Sequence, residues 1–170
     1  AVSAVPIINA GEGSTGQHPT QALIDLYTIW KELGKTDGLS VAIVGDLAHG
    51  RAARSLAYLL GKFERVKLYF IAPPTLQMDA DMLQHLEQRQ TWFACEDSLD
   101  PVIGEVDVVY QTRIGRDRLG EQAVHYDHLM LNYTLNAERV RRMRTDAIVM
   151  HPLPRTNEIA LEVDADPRAA

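Results

Sequence analysis

Five short apolar runs recur along this chain, Val41–Val44, Leu68–Ile71, Trp92–Ala94, Val106–Tyr110 and Ala147–Met150, with Asp107 the one charged interruption. A strand with one wet face alternates apolar and polar residues, whereas a strand covered by helices on both faces reads as a continuous apolar run. Runs of this kind call for a parallel sheet buried between helical layers. The intervening segments supply the helices. From Pro19 to Gly34, residues Ala22, Leu23, Leu26, Ile29, Trp30 and Leu33 form an apolar stripe, and helical spacing returns over Arg51–Phe63, Asp79–Arg89 and Ala137–Met143. The expected architecture is α/β: a doubly wound, open, Rossmann-like parallel sheet with helices on both faces.

A chain of 170 residues with 46% hydrophobic content suffices for one globular core and is short for two complete domains. Before the first core strand, Val2 to Asn9 reads as a further strand, and Gly11, Gly13 and Gly16 permit an unusual loop ahead of the Pro19 helix. Lys35 to Gly38 is the best linker, dividing an opening segment, 1–34, from a main domain, 35–170. The formal net charge of −6 argues against nucleic-acid or membrane-surface partners, which attract basic proteins, so any anion site must be local. The single cysteine, Cys95, has no partner for an intramolecular disulfide, and its setting after Trp92-Phe93-Ala94 reads as a buried strand end with a packing role. A reducing, cytoplasmic location fits. No apolar run reaches membrane-spanning length and the start lacks the basic region of a signal peptide, so the expectation is a soluble protein.

In a doubly wound sheet, ligands collect outside the carboxyl ends of the strands. Three polar motifs fall there: Asp46 to Arg51, Thr112-Arg113, and His151 to Arg155. An arginine presents a planar fork of donors that matches a carboxylate, so Arg51 and Arg113 on separate loops suit the two ends of a dicarboxylate. Either arginine alone reads first as a solvated or helix-capping residue; position carries the argument. The Gly45–Gly50 turn lacks the glycine spacing of a dinucleotide or phosphate-cradling loop. His18, beside the glycine-rich loop and a helix start, is suited to donate to a carbonyl oxygen that becomes negative, and Gln21, three residues on, shares its helix face. Helix capping is the plainer role for both. His49, His85, His125 and His128 have weaker contexts, and no ligand set around the last two completes a metal site.

Taken together, Asn9-Ala10-Gly11-Glu12-Gly13 with His18-Pro19-Thr20-Gln21, Val44-Gly45-Asp46-Leu47 with Gly50-Arg51, Tyr110-Gln111-Thr112-Arg113, and His151-Pro152-Leu153-Pro154-Arg155 resemble the carbamoyltransferase family over essentially the whole chain. Pro152 points to its aspartate-using branch, since ornithine-using members carry Cys there. The resemblance implies transfer of the carbamoyl group of carbamoyl phosphate to the α-amine of L-aspartate, the committed step of pyrimidine synthesis, with no cofactor and no metal. It implies that His18 bonds the carbonyl oxygen of carbamoyl phosphate and that Gln21, with the main-chain carbonyls of Pro152 and Leu153, holds its amino group. Arg51 would grip the α-carboxylate of aspartate and Arg113 the β-carboxylate, with Asp117 orienting Arg113.

The resemblance also makes 1–34 the end of a carbamoyl-phosphate domain with the interdomain helix, and 35–170 an aspartate-binding domain incomplete at its C-terminus. The family's N-terminal half, with its Ser-x-Arg-Thr-Arg phosphate motif and a lysine loop donated by a neighbouring subunit, has no counterpart here, so the piece alone is expected to be inactive. The complete protein is expected to be a homotrimer, with regulatory or multifunctional partners open. Gly115 stands where the family usually has Gln, removing a donor near the acceptor. Two alternatives follow: a non-catalytic carbamoyltransferase-like module with an assembly or regulatory role, and a carbamoyltransferase for another amine.

Overall fold

The computed structural model describes residues 5–11, 13 and 16–170. Its strands are β1 (Ser40–Val44), β2 (Lys67–Ile71), β3 (Trp92–Glu96), β4 (Val108–Gln111) and β5 (Ile148–Met150), and its helices are α1 (Pro19–Leu33), α2 (Arg51–Leu60), α3 (Ala80–Gln88), α4 (Tyr126–Tyr133) and α5 (Ala137–Arg142). All five expected apolar runs become strands of one parallel sheet, in the order β3-β2-β1-β4-β5. The α/β, doubly wound architecture expected from the sequence is the one observed.

Strand pleating divides the core in two. Val41 and Ile43 of β1 point to the side that α1, α2 and α3 cover, where they pack with Ile29, Leu56, Leu60, Phe70 and Met82. Ala42 and Val44 point to the opposite side and meet Val109, Leu135 and Val140 under α4 and α5. Fully burying a valine or isoleucine side chain contributes about 1.5–3 kcal/mol, which is why β1, with water on neither face beyond Ser40, is apolar from Val41 to Val44.

Several expectations need correction. Residues 2–4 of the proposed Val2–Asn9 strand lie outside the described residues, as do Glu12, Ser14 and Thr15 of the glycine-rich loop. Residues 5–9 form no strand: no strand of the described sheet takes them up, and Val5, Ile7 and Ile8 lie exposed. In α1 the buried face is rotated from the predicted stripe. Ala22, Asp25 and Ile29 turn inward, whereas Leu23 and Trp30 are more than half exposed. A carboxylate takes a core position there because hydrogen-bond donors meet it, as described below. Cys95 is exposed, because β3 is the sheet edge with no strand beyond it; the partial desolvation that remains and the neighbouring Glu96 push the thiol pKa up, away from reactivity. Helix α4 carried too weak an apolar periodicity to be expected.

Asp107 explains why β4 begins later than its apolar run. Its buried carboxylate turns to the entrance of β1, accepting from the Ser40 main-chain N–H at 2.8 Å and from Lys35 Nζ at 3.2 Å, which ties the Lys35–Gly38 turn to the sheet.

At the other end of β1, Gly45 adopts φ 127°, and a Cβ there would collide with the main chain and hydroxyl of Thr112. Glycine therefore permits the close approach of the β1 and β4 ends. Gly45→Ala is expected to cost at least about 2 kcal/mol in urea unfolding, from overpacking and a backbone angle that alanine resists; an unchanged midpoint would contradict the packing described.

Candidate active site

Strands β1 and β4 are neighbours, yet the chain leaves them toward opposite sides, β1 to α2 and β4 toward α4 and α5. The crevice between the two departing loops is the topological switch point of the sheet. A cavity of about 580 Å³ opens there, within the range of small-molecule sites.

Four segments supply its walls. The start of α1 brings His18 and Gln21, the loop after β1 and the first turn of α2 bring Asp46 and His49 to Ala53, the loop after β4 brings Thr112, Arg113, Gly115, Asp117 and Arg118, and the loop after β5 brings Pro152 and Leu153. Every residue singled out from the sequence, His18, Gln21, Arg51, Arg113, Asp117, Pro152 and Leu153, therefore faces one cavity. Asp46, His49 and Thr112 lay within or beside the motifs without an assigned role, and Arg118 was not anticipated.

The loop after β1 is shaped by Asp46. Its buried carboxylate accepts from the His49 main-chain N–H at 3.1 Å and from His49 Nδ1–H at 2.9 Å. This turn delivers Arg51 as the first residue of α2, whose unpaired first-turn N–H groups and positive dipole end add to the attraction for an anion. The loop after β4 is tied down by Thr112, which donates to the Val44 carbonyl from both its main-chain N–H (2.7 Å) and its hydroxyl (2.8 Å). It delivers Arg113. Neither Arg51 nor Arg113 makes a hydrogen bond or ion pair to another described residue. Two guanidinium groups thus enter one cavity without such a partner among the described residues.

The expected pairing of Asp117 with Arg113 does not occur. Asp117 Oδ2 instead lies 3.5 Å from Arg118 Nε, and its Oδ1 fills the space beside Gly115, where a Cβ would come within 2.6 Å. Without a side chain at position 115, the carboxylate folds back over its own turn and does not reach Arg113.

On the opposite wall, His18 occupies the N-cap position of α1, with no capping bond from its side chain. Its main-chain N–H donates to Ser55 Oγ at 2.8 Å, and the Thr20 hydroxyl lies 3.4 Å from ring Nδ1. One turn along, Gln21 Nε2 donates to Asp25 Oδ1 at 2.9 Å, and the Tyr110 hydroxyl donates to Asp25 Oδ2 at 2.7 Å. Asp25 is 3% exposed and Tyr110 fully buried. Burial pushes the Asp25 carboxyl above its usual range although both donors and His18 oppose this; burial and the adjacent Asp25 carboxylate raise the Tyr110 phenol. The sequence signal for Asp25 was its i+4 spacing from Gln21 on the inward face.

The loop after β5 is held by a buried pair. Leu153 N–H donates to His151 Nδ1 at 2.8 Å, so the proton of that ring sits on Nε2, which donates to Glu158 Oε1 at 2.8 Å. Thr156 donates to Glu158 from its hydroxyl at 2.8 Å and from its N–H at 3.1 Å. This network holds Leu153 at φ 51°, a left-handed angle that needs such support in a non-glycine residue. Burial would raise the Glu158 carboxyl, but the bonds from His151 and Thr156 outweigh it and hold the pKa down to about 2.

The fold and cavity define a doubly wound α/β domain whose switch-point crevice presents two arginine side chains. Comparison with known proteins places it within a family. The family model for the Asp/Orn binding domain of aspartate/ornithine carbamoyltransferase matches residues 37–170, and the chain belongs to that family. It is 50% identical over 170 residues to the chloroplastic aspartate carbamoyltransferase of Arabidopsis thaliana, covering 100% of this chain and 43% of the relative. It is 44% identical over 167 residues to the aspartate carbamoyltransferase catalytic subunit of Methanocaldococcus jannaschii, covering 98% and 53%. Among solved structures, aspartate transcarbamoylase from Trypanosoma cruzi in complex with carbamoyl phosphate superposes with a TM-score of 0.91 at 40% identity, over 99% of this chain and 54% of that one. The M. jannaschii catalytic subunit gives 0.89 at 43% identity, over 98% and 53%. The chain spans about half the length of the relatives it matches.

The Glu158 network yields a pH prediction. Its folded-state pKa lies below the ordinary 4.5, so the stability it contributes is present above that value and is lost as pH falls toward 2. The shift corresponds to about 3 kcal/mol. Glu158→Gln is expected to lower stability by about that amount near pH 7, with the gap from wild type closing between pH 5 and 2 in denaturant titrations. A gap independent of pH would contradict the charge-assisted pairing.

Proposed function

We propose that the cavity is the acceptor half of an aspartate carbamoyltransferase site, in which the α-amine of L-aspartate attacks the carbonyl carbon of carbamoyl phosphate. A C–N bond forms, the bond from the carbonyl carbon to the phosphate oxygen breaks, and phosphate and a proton leave. The observation that carries this reading is the pair of arginines, Arg51 and Arg113, that enter the cavity from separate segments without a hydrogen-bond or ion-pair partner among the described residues. A dicarboxylate supplies one bidentate partner to each, and an amine between its carboxylates is thereby aimed across the cavity.

On the far wall, His18 donates a ring N–H to the carbonyl oxygen as it gains charge in the tetrahedral intermediate. Gln21 and the backbone carbonyls of Pro152 and Leu153 accept from the carbamoyl amino group. Electrophile and nucleophile thus meet by placement, without a covalent enzyme intermediate. Residues 1–34 then belong to the carbamoyl-phosphate side and the connecting helix, and 35–170 to the aspartate side. The relatives named as aspartate carbamoyltransferases, and the T. cruzi structures bound to carbamoyl phosphate or to aspartate and phosphate, support the choice of substrates. Pro152 supports an aspartate acceptor over ornithine.

In the full-length protein, Arg113→Ala is expected to raise the KM for aspartate by about 100-fold or more while the KM for carbamoyl phosphate changes little, as loss of a charge-assisted bidentate contact demands. Steady-state formation of carbamoyl aspartate measures both. An unchanged aspartate KM would remove Arg113 from the acceptor site, and absence of product from the wild-type protein would favour a binding module without catalysis.

A further inference from the structure

Gln21 has a side chain with two unlike ends, an oxygen that only accepts and an NH2 that only donates. Which end faces the cavity decides what the cavity recognises. The group behind Gln21 settles it, because Asp25 offers only acceptor oxygens when ionised and its Oδ1 lies 2.9 Å from the Gln21 amide. The flipped amide would set oxygen against oxygen at that distance. Asp25 is 3% exposed, so water cannot relieve the clash or replace the lost bond. Its second oxygen is fixed in turn by the Tyr110 hydroxyl at 2.7 Å, at the carboxyl end of β4 and itself fully buried. The Tyr110–Asp25–Gln21 chain therefore runs from the sheet, through the buried face of α1, to the cavity wall.

We infer that Asp25 is a positioning residue that sets the donor selectivity of the site, holding Gln21 with Oε1 toward the cavity so that a carbamoyl NH2 is bonded there and an acyl methyl is not. The inference rests on the carbamoyl-transfer reading and deepens it. A cavity that presents a fixed acceptor leaves it unpaired when the ligand has a methyl group in place of NH2, and that loss is how such sites reject close isosteres. Acetyl phosphate is the matching probe, since it differs from carbamoyl phosphate only at this group.

The test uses the full-length protein with Asp25→Ala and Asp25→Asn, each made alone and on a Gln21→Ala background, with thermal melts in parallel. The expected result for Asp25→Ala is a carbamoyl-phosphate KM raised about tenfold, the loss of one well-aligned hydrogen bond. The inhibition constant of acetyl phosphate should stay within about twofold, since its methyl group makes no bond to Gln21. On the Gln21→Ala background the same substitution should add less than about twofold, because both changes remove one interaction. Should Asp25→Ala fail to fold, Asp25→Asn carries the test: its single acceptor serves two donors, and a rise of a few-fold with the same cancellation is expected. Equal weakening of carbamoyl and acetyl phosphate, or full multiplication of the two substitutions, would overturn the inference and leave Asp25 a packing residue. A wild-type protein that makes no carbamoyl aspartate would instead overturn the functional reading on which it stands.

Discussion

The parallel pairing of β1 with β4 is the constraint on which the site depends. These strands occupy neighbouring places in the sheet although β2, β3 and two helices separate them in sequence, and their chains leave toward opposite faces. Two loops that diverge from adjacent strand ends must open a crevice between them. The Thr112 bonds to the Val44 carbonyl and the absence of a side chain at Gly45 close the base of that crevice. Arg51 and Arg113 stand on its two rims because each follows one of these strands within a few residues.

The electrostatics of the cavity follow from what is satisfied inside the protein and what is not. Asp46 is occupied by His49, Glu158 by His151 and Thr156, and Asp25 by Gln21 and Tyr110. Each of these buried carboxylates is used to hold a loop or side chain in one arrangement. Among the described residues, Arg51 and Arg113 are left over. Such an arrangement gives a rigid site with positive charge available to a ligand, in a protein whose overall charge is negative.

Much of this was legible in the chain. Continuous apolar runs identified all five strands; in β1, β2, β4 and β5 burial on both faces removes the polar alternation that marks a surface strand, whereas the edge strand β3 is apolar over Trp92–Ala94 yet only partly covered. The switch-point rule then collected the motifs that hold Arg51, Arg113, Pro152 and Leu153, the glycine-rich loop and helix start pointed to His18 and Gln21, and the family resemblance added Asp117; all of them line one cavity. What escaped depended on contacts distant in sequence. The partners of Asp25 include Tyr110, 85 positions away, and no local pattern announces that a carboxylate replaces an apolar residue on the inner face of α1. Leu23 and Trp30 were placed inward for the same reason: helical periodicity locates a stripe, but the tertiary bond to Asp25 decides which flank turns in. The side chain of Asp117 was assigned to Arg113 by spacing, whereas the space left open at Gly115 determined where it folds. Cys95 seemed interior from its apolar neighbours, and only the strand order puts it at an edge.

The central claim is that the two arginines receive the two carboxylates of one acceptor. A crystal structure of the full-length protein with carbamoyl phosphate and succinate, a dicarboxylate that lacks the amine and cannot react, tests it most directly. The account predicts one succinate carboxylate on Arg51 and the other on Arg113, with the carbamoyl group across the cavity beside His18 and Gln21. Succinate bound elsewhere, or held by only one of the arginines, would contradict it.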